Sequence, residues 1–276
     1  MNKSVNIFIL NWNGKKVVHE CLDSLMKISY LNSNVIVIDN GSKDDSINFI
    51  SKEFPKVKII ELKHNYGFAK GNNMGFNSID QADYSIFINN DTIVDSDFVE
   101  PLINTLEADE KIAQVSPKIF YHHQKNKIWY AGATVNLLIG YIRHNGIRKK
   151  DSPIFFYPSI TDYATGCCVC MRSNEFDEIG MFDESFPMYC EDVDLSLRFK
   201  KAGKKVFYVP DSKVWHKVSY SIGGEFSINK WKIKQLGKFK LISKHLNSLI
   251  VILIFPLLVL LSLIELVMNS LIRWFR

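Results

Sequence analysis

Short, largely apolar runs, each closed by a polar turn and followed by a stretch of helical spacing, constrain this chain more than any other feature. Residues 5–10 (Val-Asn-Ile-Phe-Ile-Leu) end in Asn11-Trp-Asn-Gly14, and residues 34–39 (Asn-Val-Ile-Val-Ile-Asp) end in Asn40-Gly-Ser42. Residues 57–62 form a third run, and residues 84–88 a fourth that ends at Asn89-Asn-Asp91. Between them, Val18, Cys21, Leu22, Leu25 and Met26 sit at helical intervals, which predicts a helix over 17–28. Asp44 or Asp45 is placed to cap a second helix through Phe54; residues 72–78 and 98–108 read as two more, and residues 113–116 as another strand. Strands without polar alternation are covered on both faces, and strands alternating with helices predict an α/β fold with a mostly parallel sheet. Such sheets bind ligands beyond the carboxyl ends of their strands, where these polar turns gather. Residues 117–165 are less regular and are expected to supply strands and loops over one side of the site. Residues 163–171 and 205–209 read as two late strands.

The charge is unevenly distributed. The 276 residues carry a formal net charge of +5. Residues 226–276 hold eight Lys and Arg against the single acid Glu265, leaving residues 1–225 slightly acidic at −2. A basic excess confined to one end of the chain argues for a membrane surface and against a nucleic-acid partner. Six lysines interleave there with Ile228, Trp231, Ile233, Leu236, Phe239 and Leu241, so residues 226–245 read as a basic amphipathic membrane-surface segment. Residues 246–272 follow as a strongly apolar stretch, interrupted only by Pro256, Ser262, Glu265 and a few other polar residues. Residues 249–268 would reach ~30 Å as a helix, about one hydrocarbon thickness, and are expected to form a transmembrane helix. The lysine cluster would then put residues 1–225 on the cytoplasmic side of the cell membrane. At the other end, residues 5–10 are too short for the apolar core of a signal peptide. Of the five cysteines, Cys167, Cys168 and Cys170 in Gly-Cys-Cys-Val-Cys-Met are expected as reduced, buried strand residues.

Several constellations carry chemistry. Glu191, Asp192 and Asp194 precede Leu195, Leu197 and Phe199, and the run stops at Ala202-Gly203; it reads as a helix with acids in its first turn. A carboxylate so placed can act as a general base if a substrate hydroxyl reaches it; the plainer alternative is a set of helix-terminal acids with Asp194 paired to Arg198. Asp39, after the second strand, can accept from a nucleobase or ribose, or close an Asx-turn. Gly67, Gly71 and Gly75 recur on one helix face, which admits either a phosphate or a close strand, and Lys70 among them could meet a diphosphate. Asp91, after the fourth strand, suits a divalent cation such as Mg²⁺ or Mn²⁺, and His216 becomes a second ligand if it faces Asp91 across the site. Asp95 and Asp97 fit a helix cap better than a metal.

In this order, Ile-Leu-Asn-Trp-Asn-Gly, Val-Ile-Asp-Asn-Gly-Ser, Asn-Tyr-Gly-Phe-Ala-Lys-Gly-Asn-Asn, Ile-Asn-Asn-Asp-Thr and Tyr-Cys-Glu-Asp-Val-Asp-Leu resemble the family 2 inverting glycosyltransferases of GT-A fold, above all bacterial rhamnosyltransferase-like members. The resemblance covers roughly residues 4–220. It implies a sugar-nucleotide donor held by Asn11, Asn13, Asp39, Asn40, Asn65, Gly67, Lys70 and Asn90, with Asp39 at the nucleobase. It implies a metal on Asp91, completed by His216, and a catalytic base at Asp192 with Glu191 as the second candidate. The acceptor would be a lipid-linked saccharide or polysaccharide. Two departures stand out. Asn89 occupies the place where the family's metal motif often begins with Asp, and the Gln-x-x-Arg-Trp of processive synthases is missing, Arg273-Trp274 lying in the tail without its Gln. Polymerisation is therefore not expected. The competing readings are a related nucleotidyl or phosphosugar transferase, and a non-catalytic membrane adaptor with a degenerate nucleotide pocket.

Overall fold

The structure, a computed structural model, describes residues 3–186, 188–218 and 228–274. The four apolar runs become β1 (Val5–Asn11), β2 (Ser33–Asp39), β3 (Lys58–Glu61) and β4 (Tyr84–Asn89), aligned in parallel in the order β3-β2-β1-β4. Their connections are α1 (Lys15–Leu25), α2 (Ser46–Glu53) and α3 (Phe68–Phe76). Register brings Asn11 beside Asp39 and Leu10 beside Asn89, so the polar turns share one edge. Because side chains alternate across a strand, each run fills two cores. Val5, Ile7 and Ile9 pack with Val18, Leu22 and Leu25 of α1, while Phe8 packs on the opposite face with Phe76 of α3.

Beyond β4 the sheet becomes mixed. After the short β5 (Thr92–Val94) and α4 (Val99–Ala108) come β6 (Ile112–Tyr121), β7 (Gln124–Tyr130), a separate hairpin of β8 (Ala133–Asn136) and β9 (Tyr141–His144), and the two-residue β10 (Ser159–Ile160). β11 (Cys168–Arg172) then wedges between β4 and β6, antiparallel to both. Covered on both faces, it reads in sequence like any buried parallel strand, so its direction was hidden. α5 (Ser173–Glu178) and α6 (Glu191–Lys201) lead to β12 (Lys205–His216), which runs parallel to β6. Both strands exceed the lengths their sequences predict, and the reason is shared. Pro117 and Pro210 look like strand stops, but they sit at one register shift of the pair, where a bulge tolerates the missing N–H. β12 thereby continues to His216, which pairs with Thr92 of β5.

Cys167, Cys168 and Cys170 are buried free thiols, as expected. α7 (Ile228–His245) and α8 (Ser248–Trp274) form the tail. Within α8, Ser248–Val267 is, among the described residues, the one stretch long and apolar enough to cross a membrane, with mean hydropathy 3.0 and none of it buried. The domain boundary expected at residues 225–226 falls outside the described residues.

Candidate active site

The turns at the carboxyl edge are tied to one another by amide side chains. Asn11 Nδ2 donates to Asp39 Oδ1 at 3.2 Å, and Asn11 Oδ1 accepts from Asn90 Nδ2 at 2.9 Å. Asn40 donates to Asn65 Oδ1 (3.0 Å) and to the Gly67 carbonyl (3.1 Å), and accepts from the Tyr66 amide at 2.9 Å. Asn13, at φ 49°, accepts from the Lys43 amide at 2.8 Å. Seven of the eight expected donor-site residues, all but Lys70, thus join the loops after β1, β2, β3 and β4 into one frame, with Gly67 opening α3 at φ 80°. Each bond contributes only about 0.5–1.5 kcal/mol, but buried amides left unpaired cost more, so the network fixes the loops relative to one another. Asp39 also closes an Asx-turn by accepting from the Ser42 amide at 2.9 Å, and it keeps lone pairs for a ligand.

Lys70 and the glycines lie differently. Lys70 is half-exposed, 3.6 Å from Glu184 and over the Tyr66 ring. A surface pair of that kind is worth ~0–1 kcal/mol, so the ammonium can be redirected. Gly71 and Gly75 serve packing: a Cβ on Gly71 would lie 2.8 Å from Leu10 Cδ1, and one on Gly75 would collide with Ile38. The close-strand reading of this stripe is the one realised.

Asp91 and His216 meet. Asp91 Oδ1 lies 3.1 Å from His216 Nε2, and both residues are buried. Burial works to raise the Asp91 pKa, but the charge and hydrogen bond of His216 outweigh it and hold the carboxyl below its usual value. Trp129 stands edge-on to the His216 ring at 4.6 Å and likewise to His144 at 4.4 Å. No sequence signal pointed to Trp129 or His144; the β7 and β9 register delivers them. Asp91, in the turn between β4 and β5, and His216, at the end of β12, are an oxygen and a nitrogen donor that converge. They fit a divalent cation that takes its remaining ligands from water and phosphate. Among the described residues no third His, Cys, Asp or Glu joins them.

Asp192 and Glu191 open α6. Tyr189 and Cys190, just before the helix, both adopt left-handed conformations (φ 69° and 72°), a strained elbow that non-glycine residues rarely form. Asp192 Oδ2 accepts from the Gly166 amide at 2.9 Å. Burial nevertheless raises its pKa, and it raises that of Glu191 too, aided there by the Asp192 charge. Glu191 Oε2 has no hydrogen-bond partner. Asp194 accepts from Arg198 (2.8 Å), as the plainer reading expected, and also from Lys244 and His245 of α7, each at 2.8 Å. It is therefore no metal ligand. Asp95 and Asp97 make no side-chain cap on α4, whose N-cap position is taken by Phe98.

Two backbone bonds connect the carboxylates. The Gly166 amide holds Asp192, and the next carbonyl, of Cys167, accepts from the Asn89 amide at 3.0 Å, two residues before Asp91. A cation-suited pair and a raised-pKa carboxyl pair thus flank one strand edge inside a frame of polar loops, on a sheet of the GT-A sugar-nucleotide transferase type. The family model for glycosyl transferase family 2 matches residues 6–179, and the chain belongs to that family. It is 26 % identical to the rhamnosyltransferase WbbL of Escherichia coli K12 over 185 residues, 63 % of this chain and 70 % of that protein. It is 24 % identical over 228 residues to the poly-beta-1,6-N-acetyl-D-glucosamine synthase of Staphylococcus aureus strain COL, covering 80 % of this chain but only 52 % of the synthase. GalNAc-T7, solved with UDP, GalNAc and Mn²⁺, superposes at a TM-score of 0.69 and 16 % identity over 87 % of this chain and 47 % of its own. The mannosyltransferase PcManGT of Pyrobaculum calidifontis, with GDP-Man and Mn²⁺, gives 0.65 at 14 % identity over 90 % and 66 %. At those identities the structures speak for the fold alone.

Proposed function

We propose that this glycosyltransferase is inverting and non-processive. It moves one hexose from a nucleotide-diphospho-sugar to a hydroxyl of a lipid-linked saccharide or polysaccharide, on the cytoplasmic side of a membrane to which α8 attaches it. The supporting observation is the Gly166–Cys167 link, which sets Asp192 and the Asp91 loop on the two sides of one strand end. Asp192 takes the proton of the acceptor hydroxyl as that oxygen bonds to the anomeric carbon and the bond to the diphosphate breaks, releasing the nucleoside diphosphate. Its raised pKa makes it a stronger base once ionised, and the Gly166 amide aims it. Asp91 and His216 would hold a divalent cation, which supplies positive charge to the leaving diphosphate. Mn²⁺ in the two structural neighbours supports this. Asp39 receives the nucleobase end, and Lys70 is free to leave Glu184 for phosphate. Rhamnose is the first donor sugar to try, given WbbL.

The test is nucleotide release by detergent-solubilised full-length protein, across a panel of sugar nucleotides, with membrane extract as acceptor source. One donor should release nucleotide only when acceptor is present, and should do so less in chelator. Acceptor-independent release, or none from any donor, overturns the reading.

A further inference from the structure

The tail folds back over the catalytic unit. A Cβ on Gly237 of α7 would lie 2.9 Å from the Tyr189 carbonyl, and Leu241 and Ile242 are fully buried. α8 then returns alongside α7: the Phe239 and Phe255 rings are 5.6 Å apart, and Gln235 and Lys238 both donate to Glu265 at 3.2 Å. α8 also touches the 3-10 turn Leu137–Ile139 that joins β8 to β9. A Cβ on Gly140, the next residue, would lie 3.1 Å from Leu258 Cδ2. Along α8 the partly covered residues Val251, Ile254, Leu258 and Leu261 recur at helical spacing, so one face leans on the protein over three turns. Leu253, Leu257, Leu260 and Ile264 point the other way and are exposed.

This packing decides how the helix can meet a bilayer. Leu258 is at the middle of the apolar stretch Ser248–Val267. At ~1.5 Å per residue it is about 15 Å from either end, the centre of a ~30 Å hydrocarbon core if α8 crosses it. Gly140 would go with it. So would the two-stranded β8–β9 hairpin, whose β8 edge is bonded by Thr161 and Asp162 but whose β9 edge, with Arg143, pairs with no further strand among the described residues. Unpaired strand edges and a charge at mid-bilayer are what lipid excludes. Lying flat, the same helix has no such conflict, because its exposed face alone enters the acyl layer.

We infer that the tail is monotopic: α8 lies in the plane of one leaflet, and the turn carrying Leu138, Ile139 and Tyr141 enters that leaflet beside it. The three side chains are 50 %, 44 % and 41 % exposed, on a turn already in contact with α8. The partner is a bilayer surface with anionic headgroups, since Lys232 on α7 and Arg143 on β9 stand exposed. The inference replaces the crossing expected from length and hydropathy. It rests on the membrane attachment proposed above and not on the sugar chemistry.

Two measurements on the full chain, neither using a donor, test it. With an epitope tag after Arg276, protease should reach the tag and the catalytic unit from the same side of sealed membrane vesicles. Tag and catalytic unit on opposite sides overturns the inference. In phosphatidylglycerol-containing vesicles with brominated acyl chains, I139W should add quenchable emission over wild type, whereas L31W, at an 89 % exposed position in the loop before β2, should not. Unquenched I139W emission, or equal quenching of both, overturns the turn's share. Release of wild-type protein by salt alone overturns membrane insertion itself and leaves glycosyl transfer standing.

Discussion

Asp91 and Asp192 are the same side chain, both at element ends and joined through Gly166 and Cys167, yet their surroundings push them in opposite directions. Asp91 is buried beside His216, and the imidazole overcomes burial to keep the carboxylate charged. Asp192 is held only by amide N–H groups, from Gly166 and Val193, and burial prevails over them. A cation that is to meet a diphosphate calls for a permanent anion to hold it, whereas a base must be able to hold the proton it takes. Asp194 sharpens the contrast. It is two residues from Asp192 on the same helix and fully buried, but His245, Lys244 and Arg198 bring its pKa down against that burial. Local cation supply, not helix position, separates the three acids, and part of that supply comes from the tail.

The largest expected effect is on rate. Asp192→Asn should lower turnover ~10²–10⁴-fold, the usual contribution of a general base, while leaving donor affinity nearly intact. Parallel kcat and donor-binding measurements check this. Near-normal turnover would move the role to Glu191 and collapse the contrast with Asp91. Next is stability. Asp194→Ala leaves Arg198, Lys244 and His245 around an empty position, and breaking a buried ion pair costs about 3 kcal/mol at the low end of its range. Urea denaturation should show that loss in Asp194→Ala and little of it in Asp192→Asn. Equal losses would mean that α7 contributes nothing through Asp194.

Smaller still is the effect on donor binding. Asp91→Ala should weaken sugar-nucleotide affinity about 10- to 100-fold in the presence of Mg²⁺ or Mn²⁺, the scale of one charge-assisted contact, and hardly at all in chelator. Calorimetry with and without cation measures the difference. If wild-type affinity is unchanged by chelator, the Asp91–His216 pair is an internal salt bridge, and Asn89 marks a metal-free site.

The parallel half and its turns were legible because they are local. Four apolar runs and their Asn and Asp closures lie within the first 91 residues, and β3, β2, β1 and β4 pair with one another in that order. The role of the asparagines was less legible. Sequence marks Asn11, Asn13, Asn40, Asn65 and Asn90 as polar residues at strand ends, and only the fold shows them bonded mainly to one another and to loop backbone. The Asp91–His216 meeting depended on β12 continuing past Pro210 and the register shift there to pair again with β6, which the strand-stop rule for proline conceals. The links from Lys244 and His245 to Asp194 had no sequence signal, because a basic amphipathic segment reads the same whether its cations face lipid or protein.

The last contrast is in pH. Glu191 has its carboxyl raised to about 8, by burial first and then by the neighbouring Asp192. A carboxyl whose folded pKa exceeds its unfolded value near 4.5 binds its proton more tightly when folded. Its stabilisation is complete below that unfolded value and is lost as pH rises through the folded one. Asp91, with its pKa lowered, behaves in the opposite sense: its contribution is present above the ordinary carboxylate range and is lost as pH falls through its depressed value. Between about pH 5 and about pH 8 the urea midpoint of wild type should therefore fall relative to that of Glu191→Gln, which carries no titrating proton; the buried His144, common to both, drops out of the comparison. Asp91→Asn should follow wild type over that range and flatten only the acid limb. Parallel curves for wild type and Glu191→Gln would mean that the buried acid is ionised throughout, and the opposition between the two carboxylate sites would then rest on Asp192 alone.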